Sequence, residues 1–547
     1  MDYRGTDTPL DLSIKEKNAN SSNRRYLTSI RLLKGIRDDL ARRIPLYVSD
    51  WRDGIHSKVL SASVYMYFCS ILPAITFAAD LSDHTNNEYG VIEVLSSTAL
   101  GGVFFSVFAG QPLVIMGVTG PVAIFSATIF NLCERLNIPF LPFMAWSSIW
   151  AALFHIVLAA LNACRFLQYV TQFSCEIFGA LIAAIYVSRA VQEVVKYFEA
   201  GTMEGALLGL MLCVGTFLVS IWLAGGRSWT LFRKNIRGTI ADYGAAAAII
   251  VFTAVPYLPR LSGVQISRLE TPSSFNTTTG RPWLVPFWEL ETWAVFASML
   301  PALVITVLFF FDHNVSSLLS QRPEFKLKKG PAFHYDFLIL GICTLIAGLI
   351  GLPAPNGLIP QAPLHVQALS RMERDPLTGE ERVESVVENR ISPLLQSVLI
   401  GLTLSPPLLF VLRLIPRAIL AGLFLVYAFQ SLEENTIALR VQWIFTDREC
   451  KRPTSYLARV SARVILLFTT LQIALIALIF YVTVSPAAIS FPVFILLLVP
   501  ARRWMLPHLF TRKDLEVLDR DMMEWDSEIK ESAEGKATLG EHKGEDA

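Results

Sequence analysis

Gly351-Leu-Pro-Ala-Pro-Asn-Gly-Leu-Ile-Pro-Gln-Ala-Pro-Leu-His365 follows a long apolar run and carries four prolines and two glycines in fifteen residues. Proline inside a helix removes a backbone hydrogen bond and its ring strikes the preceding turn, so no continuous helix can run through this stretch. The sequence predicts a helix that starts only near Pro355 or Asn356. A second interrupted stretch, Gln111 to Cys133, opens with Gln111-Pro112 and holds Gly117, Gly120 and Pro121. About twelve helix-competent residues remain there, a length of about 18 Å, which crosses half of a bilayer.

Around these two breaks the chain is strongly apolar. The hydrophobic fraction is 53%, the charged fraction 17% and the mean hydropathy +0.47, too apolar for a soluble protein that must cover its core with polar surface. Counting about 20 apolar residues per span, we expect spans near 57 to 80, 91 to 110, 140 to 163, 167 to 196, 203 to 226, 237 to 257, 292 to 321, 333 to 350, 391 to 413, 415 to 432, 459 to 482 and 485 to 504. With the two broken segments counted as one crossing each, the expectation is an all-α polytopic membrane protein of fourteen transmembrane segments. The connections at 225 to 237, 322 to 329 and 439 to 464 are basic. By the positive-inside rule they are cytoplasmic, and the count of fourteen places both termini on the same side.

The connection 258 to 291 then falls outside, and it contains the glycosylation sequon Asn276-Thr-Thr278. A second sequon, Asn314-Val-Ser316, lies inside a span and reads as chance. Residues 24 to 52 hold eight Arg/Lys against three Asp, with Leu27, Ile30, Leu33, Ile36, Leu40 and Ile44 near helical spacing. They fit either a basic amphipathic helix at the interface or a plain basic anchor before the first span. Residues 514 to 547 hold twelve Asp/Glu against four Lys/Arg and read as a disordered acidic tail. Neither end resembles a nucleic-acid module. The polar first 23 residues show no cleavable signal peptide, so targeting is expected from the first span. The seven cysteines have no metal-ligand spacing, and neither a disulfide framework, a structural zinc nor a cofactor is expected.

Splitting the crossings seven and seven puts each broken segment third in its half, and an odd number per half makes the two copies inverted. That is the pattern in which interrupted helices mark a transporter's binding site near the midplane. Half-helices beginning at Thr119-Gly120-Pro121 and near Asn356-Gly357 would aim free N–H groups and positive dipole ends at that point. One Gly/Pro kink is usually only packing; two matched ones favour a site.

Asp312 follows the apolar run Val304 to Phe311 and lies roughly 14 Å from the end of its span, near the bilayer centre. An ionisable residue at that depth is a functional candidate, here also for proton coupling, unless a neighbour satisfies it structurally. His313, Asn314, Ser316 and Ser317 extend the polar stretch. Asp80, Glu134 and Glu176 stand near span ends, where carboxylates cost little; Asp242, Asp336 and His155 read mainly as structural. His365 suits either lining the site or capping backbone.

The residues Tyr67-Phe-Cys-Ser-Ile-Leu-Pro-Ala-Ile-Thr-Phe77, Gly117-Val-Thr-Gly-Pro121, Phe310-Phe-Asp-His-Asn-Val-Ser-Ser317 and the proline-rich segment together resemble the bicarbonate-transporter and anion-exchanger family. The likeness covers about 45 to 510 and is greatest to the plant and fungal borate exporters. It implies a core domain at 57–163 and 292–413 (crossings 1 to 4 and 8 to 11) and a gate domain at 164–257 and 414–510 (crossings 5 to 7 and 12 to 14). These are flanked by a cytoplasmic segment at 1–56, an extracellular loop at 258–291 and a cytoplasmic tail at 511–547. It also implies a homodimer through the gate, and substrate held between the half-helices of crossings 3 and 10, with crossings 1 and 8 completing the site. The substrate-site residues expected are Thr119, Gly120, Pro121, Asp312, Asn314, Asn356, Gly357 and Gln361. The large soluble N-terminal domain of animal exchangers is not expected, since about fifty residues precede the first span. Gln361 stands where the chloride/bicarbonate exchangers have an arginine.

The function expected from this resemblance is export of boron, as borate or boric acid, from the cell by alternating access, in the plasma membrane or alternatively the vacuolar membrane. No nucleotide-binding motif is present, so a gradient is the expected driver. Transport of bicarbonate, another inorganic anion or a nucleobase-like solute is the same-class alternative. A membrane-embedded enzyme using Asp312 is the other class, and the chain has no HExxH and no nucleophile beside a base. With Gln361 in place of a cation and a carboxylate nearby, a permanent monovalent anion gains little. Boric acid, mainly neutral and rich in hydroxyls, suits such a site by hydrogen bonding.

Overall fold

A computed structural model describes residues 32–374, 381–433, 435–447, 460–485 and 488–519. Leu27, Ile30, residues 448–459 of the basic connection at 439 to 464 (Cys450 among them) and the acidic tail beyond Asp519 lie outside the described residues. The chain opens with α1 (Lys34–Arg43) and α2 (Tyr47–Arg52), then α3 (Ser57–His84) and α4 (Val91–Phe108). Strand β1 (Met116–Gly117) leads into α5 (Gly120–Leu136), followed by α6 (Phe140–Ala160), α7 (Gln172–Ala200), α8 (Met203–Ala224) and α9 (Lys234–Ala254). Next come α10 (Thr292–Ala297), α11 (Met299–Ser320), α12 (Phe333–Leu349), β2 (Asn356–Gly357), α13 (Gln361–Leu369) and the hairpin of β3 (Ser370–Arg374) and β4 (Glu381–Val386). The last part holds α14 (Ile391–Thr403), α15 (Pro406–Arg413), α16 (Arg417–Glu433), α17 (Thr436–Phe445), α18 (Ala462–Val484), α19 (Phe491–Trp504), α20 (Leu506–Leu509) and α21 (Arg512–Leu518).

Among the described residues eight helical segments are long and apolar enough to cross a membrane, or nine if α14 and α15, bent by 77°, form one span. The bend falls at Ser405-Pro406-Pro407, where two prolines in succession cannot continue a helix. Helices α6 and α12 pack along each other, as do α4 with α14 and α7 with α16. Small residues permit the close approaches: a Cβ on Gly341 would stand 2.6 Å from that of His155, and one on Gly348 2.2 Å from that of Ser148. The outward faces of α8, α9 and α18 remain apolar, with Leu207, Leu218, Ile250 and Leu467 each more than half exposed. Such faces are what a lipid-facing helix presents.

The N-terminal segment is helical, yet α1 turns polar residues inward: Asp39 and Arg43 are buried while Ile44 is 63% exposed. It is tied to the bundle by charge as well as by Ile36, buried in the apolar core, and Leu40, packed against that core. Asp39 accepts from the backbone N–H of His334 (2.9 Å) and Tyr335 (3.2 Å), satisfying the start of α12 from another helix. Burial pushes the Asp39 carboxyl up to about 6, against the lowering effect of those amides and Arg42. Buried Asp50 on α2 gathers Arg43 (3.1 Å), Arg390 (3.1 Å) and Lys329 (2.8 Å).

Candidate functional site

The two interrupted stretches meet. Met116 pairs with Gly357 and Gly117 with Asn356 in a two-residue antiparallel ladder, and Leu358 N–H donates to Ile115 O at 2.8 Å. This pairing satisfies extended backbone that lipid could not. The entry to the first stretch is fixed by Asp336, whose carboxylate accepts from the N–H of Gly110 (2.6 Å) and Gln111 (3.1 Å).

Beyond the ladder the halves differ. Helix α5 begins at Gly120 with Thr119 as its N-cap and proline in its first turn, as the sequence predicts. The second helix does not begin at Pro355 or Asn356. Those residues are extended, and α13 starts at Gln361 after Pro360. Pro353 and Pro355 bias the residues before them toward extended backbone, the strand Asn356–Gly357 follows, and a turn at Ile359 and Pro360 leads into the helix.

Asp312, buried on α11, joins the pieces. Its Oδ2 accepts from Asn356 Nδ2 (2.8 Å) and Thr119 Oγ1 (3.3 Å), one donor from each broken stretch. The Thr119 hydroxyl, which as an N-cap could have bonded its own helix, is turned to the carboxylate instead. Ser316 Oγ donates to Leu358 O (3.1 Å), and a Cβ on Gly357 would stand 3.0 Å from His313 Nδ1. Gln361 is buried; its Nε2 donates to Cys69 O on α3 (3.2 Å), and its Oε1 has no partner. Asn314 is not brought to this group: its Nδ2 donates to Phe310 O one turn back (2.6 Å). His365 bonds Leu113 O and Ser392 Oγ, a backbone-fixing role. Pro121 occupies the first turn of α5, and Asn276 is exposed.

Two features escape a reading of the sequence. Aromatic rings from α7 and α16 cover the start of α5: Tyr186 and Phe424 lie 5.8 and 5.9 Å from Phe77, and a Cβ on Gly120 would stand 3.0 Å from Tyr186. Above them is a polar cleft, where Asp83 on α3 pairs with Arg417 (2.7 Å) and Lys196 (2.9 Å), and Asp80 with Arg189 (3.5 Å). Its one sequence signal is Asp80, Asp83 and His84 spaced along one helix face. Glu176 stands near the start of α7, close to the span end as the sequence places it, and is buried against Arg440, with Gln472 also donating to it (3.0 Å).

Residues 31–205 and 200–523 match the family described as HCO3- transporter integral membrane domain. The chain is 38% identical over 520 residues to Boron transporter 1 of Saccharomyces cerevisiae, covering 93% of this chain and 88% of that protein. It is 30% identical over 543 residues to Band 3 anion transport protein of Homo sapiens, covering 94% of this chain and 58% of the human one. The transmembrane domain of BicA, a cyanobacterium bicarbonate transporter, shares the fold with a TM-score of 0.51 at 15% identity, over 79% of this chain and 99% of that one.

Proposed function

Because this chain belongs to the HCO3- transporter integral membrane domain family, we propose that it is a secondary-active transporter that exports boron as boric acid or borate. The observation that carries this reading is the Asp312 carboxylate, held by Thr119 and Asn356 where the two broken stretches meet, with Gln361 rather than a cation beginning α13. Two helix starts attract negative charge, and the carboxylate offsets much of that attraction. What remains favours a solute with hydroxyl donors and acceptors over a permanent anion. The name of the yeast relative, Boron transporter 1, supports the same solute.

In this reading the fourteen crossings form two inverted sets of seven. The core (57–163 and 292–413) carries the solute past a gate (164–257 and 414–510) through which two copies dimerise. The basic loops and both termini face the cytoplasm, and the membrane is the plasma membrane. Substrate contacts come from Thr119, Gly120, Pro121, Asp312, Asn356, Gly357 and Gln361, with Asn314 shaping α11 from its far side.

Transport of bicarbonate is the second reading, favoured by the match to Band 3 anion transport protein. The test is uptake into vesicles reconstituted with the purified chain, with boric acid, bicarbonate and chloride supplied separately, with and without a pH gradient. Boron flux that follows the gradient supports export of boron. Chloride or bicarbonate exchange without boron flux overturns it.

A further inference from the structure

The polar groups gathered around Asp312 stand on α3, α11, β2 and α13 and at the N-cap of α5, so they hold a solute from one side. Opposite them α7 and α16 bring two tyrosines. Tyr186 reaches the first turn of α5, where a Cβ on Gly120 would lie 3.5 Å from its hydroxyl. Tyr427 packs edge-on against Tyr186, with ring centroids 6.4 Å apart. Its hydroxyl is buried and has no hydrogen-bond partner. On the opposite side Gln361 Nε2 donates to the Cys69 carbonyl at 3.2 Å. Gln361 Oε1 is also buried without a partner, as are both ring nitrogens of His313.

Buried polar atoms are normally paired, and leaving one unpaired is costly. Phenylalanine would fill the place of Tyr427 equally well if packing were its only task. Among the described tyrosines, Tyr427 is the one whose hydroxyl is buried without a hydrogen-bond partner. We propose that Tyr186 and Tyr427 form the far wall of the solute site and select a small oxyacid by its oxygens. The phenol hydroxyls donate to the solute's oxygens, and a solute hydroxyl donates back to Gln361 Oε1. A halide can accept from the phenols but has no proton for Gln361, which stays unpaired when it enters. Since Tyr186 and Tyr427 ride on the part of the chain assigned to the gate, the complete site exists only while core and gate are apposed. This inference rests on the placement of the solute site proposed above.

The experiment uses the full chain in vesicles, comparing the unmodified protein with Tyr427→Phe and Tyr186→Phe and measuring saturation curves for boric acid. We expect the KM for boric acid to rise about 5- to 10-fold in Tyr427→Phe, the scale of one lost hydrogen bond. The maximal rate should stay within about twofold, because the ring and its packing remain. The rise in Tyr186→Phe should have the same sign. Unchanged KM in both variants, or a fall in maximal rate alone, overturns the inference and leaves the boron reading standing. If the unmodified protein moves bicarbonate and no boron, the boron reading fails by itself. The same variants are then scored on bicarbonate, where a raised KM supports the oxyacid wall and an unchanged KM overturns it.

Discussion

Asp312 receives a hydrogen bond from each broken stretch on a single oxygen, so its removal strips both at once. Asp312→Ala should abolish boron export. Asp312→Asn should retain at most binding, and any residual flux should no longer respond to pH, since the carboxyl proposed to couple transport to protons is gone. Gln361→Arg places a cation at the start of α13 and should weaken boron export. Export at the normal rate by Asp312→Ala, measured in the same vesicles, would count against the whole site. Gly120 and Gly357 are limited by space: any Cβ meets Tyr186 or His313 at 3.0 Å. Gly120→Leu and Gly357→Leu should therefore reach the membrane and fail to transport, whereas normal flux by both would remove the site from this place. Asp312 could be found from the sequence because charge at that depth in a span is rare. Thr119 and Asn356 were legible as parts of broken helices. Tyr186 and Tyr427 were not, since an aromatic in an apolar span looks the same whether its hydroxyl faces a neighbour or a solute. Asn314 reads as a member of the same site, but two residues along a helix is about 200°, slightly more than a half turn, and its amide bonds back along α11.

At the scale of elements, the breaks were visible and their boundaries only partly. Gly120 starts its helix where a small residue before proline suggests, while the second helix starts after Pro360, beyond the strand and the turn that follow Pro355. That α1 docks through Asp39 on the amides of α12 could not be read from charge spacing, since the partner lies some 295 residues away. Its consequence is a pH dependence whose sign is fixed. The docked carboxyl, raised to about 6 by burial, holds its proton more tightly than a free one near 3.9. Docking is therefore strongest below the ordinary carboxyl range, weakens as pH rises toward about 6, and is flat above that. Amide exchange over Lys34–Arg43, corrected for the intrinsic rate, should be about tenfold better protected at pH 5 than at pH 7.5. Asp39→Asn should remove the difference; equal protection in the unmodified protein would show that the carboxyl does not titrate there.

For the whole molecule, the arrangement of crossings makes a prediction about sides. A cysteine introduced at Asn276, which is exposed, should react with an impermeant reagent from outside, and one in the 322 to 329 loop only from the cytoplasm. Reaction of both from one side would break the fourteen-crossing arrangement. The cleft where Asp83 is bridged by Arg417 and Lys196 has a different consequence. These side chains keep partial contact with water, Asp83 at 24% and Lys196 at 50% exposure, so dissolved ions reach them and weaken the bridges. In the alternating-access cycle proposed above, parting of α3 from α7 and α16 would take Asp83 from the same two cations and leave a basic lip that concentrates incoming anions. Added salt should then hasten the parting while dulling the lip, and solute entry from this end should rise and afterwards fall as ionic strength increases. Arg417→Gln, with the bridge already loosened and half the lip erased, should leave only the falling limb.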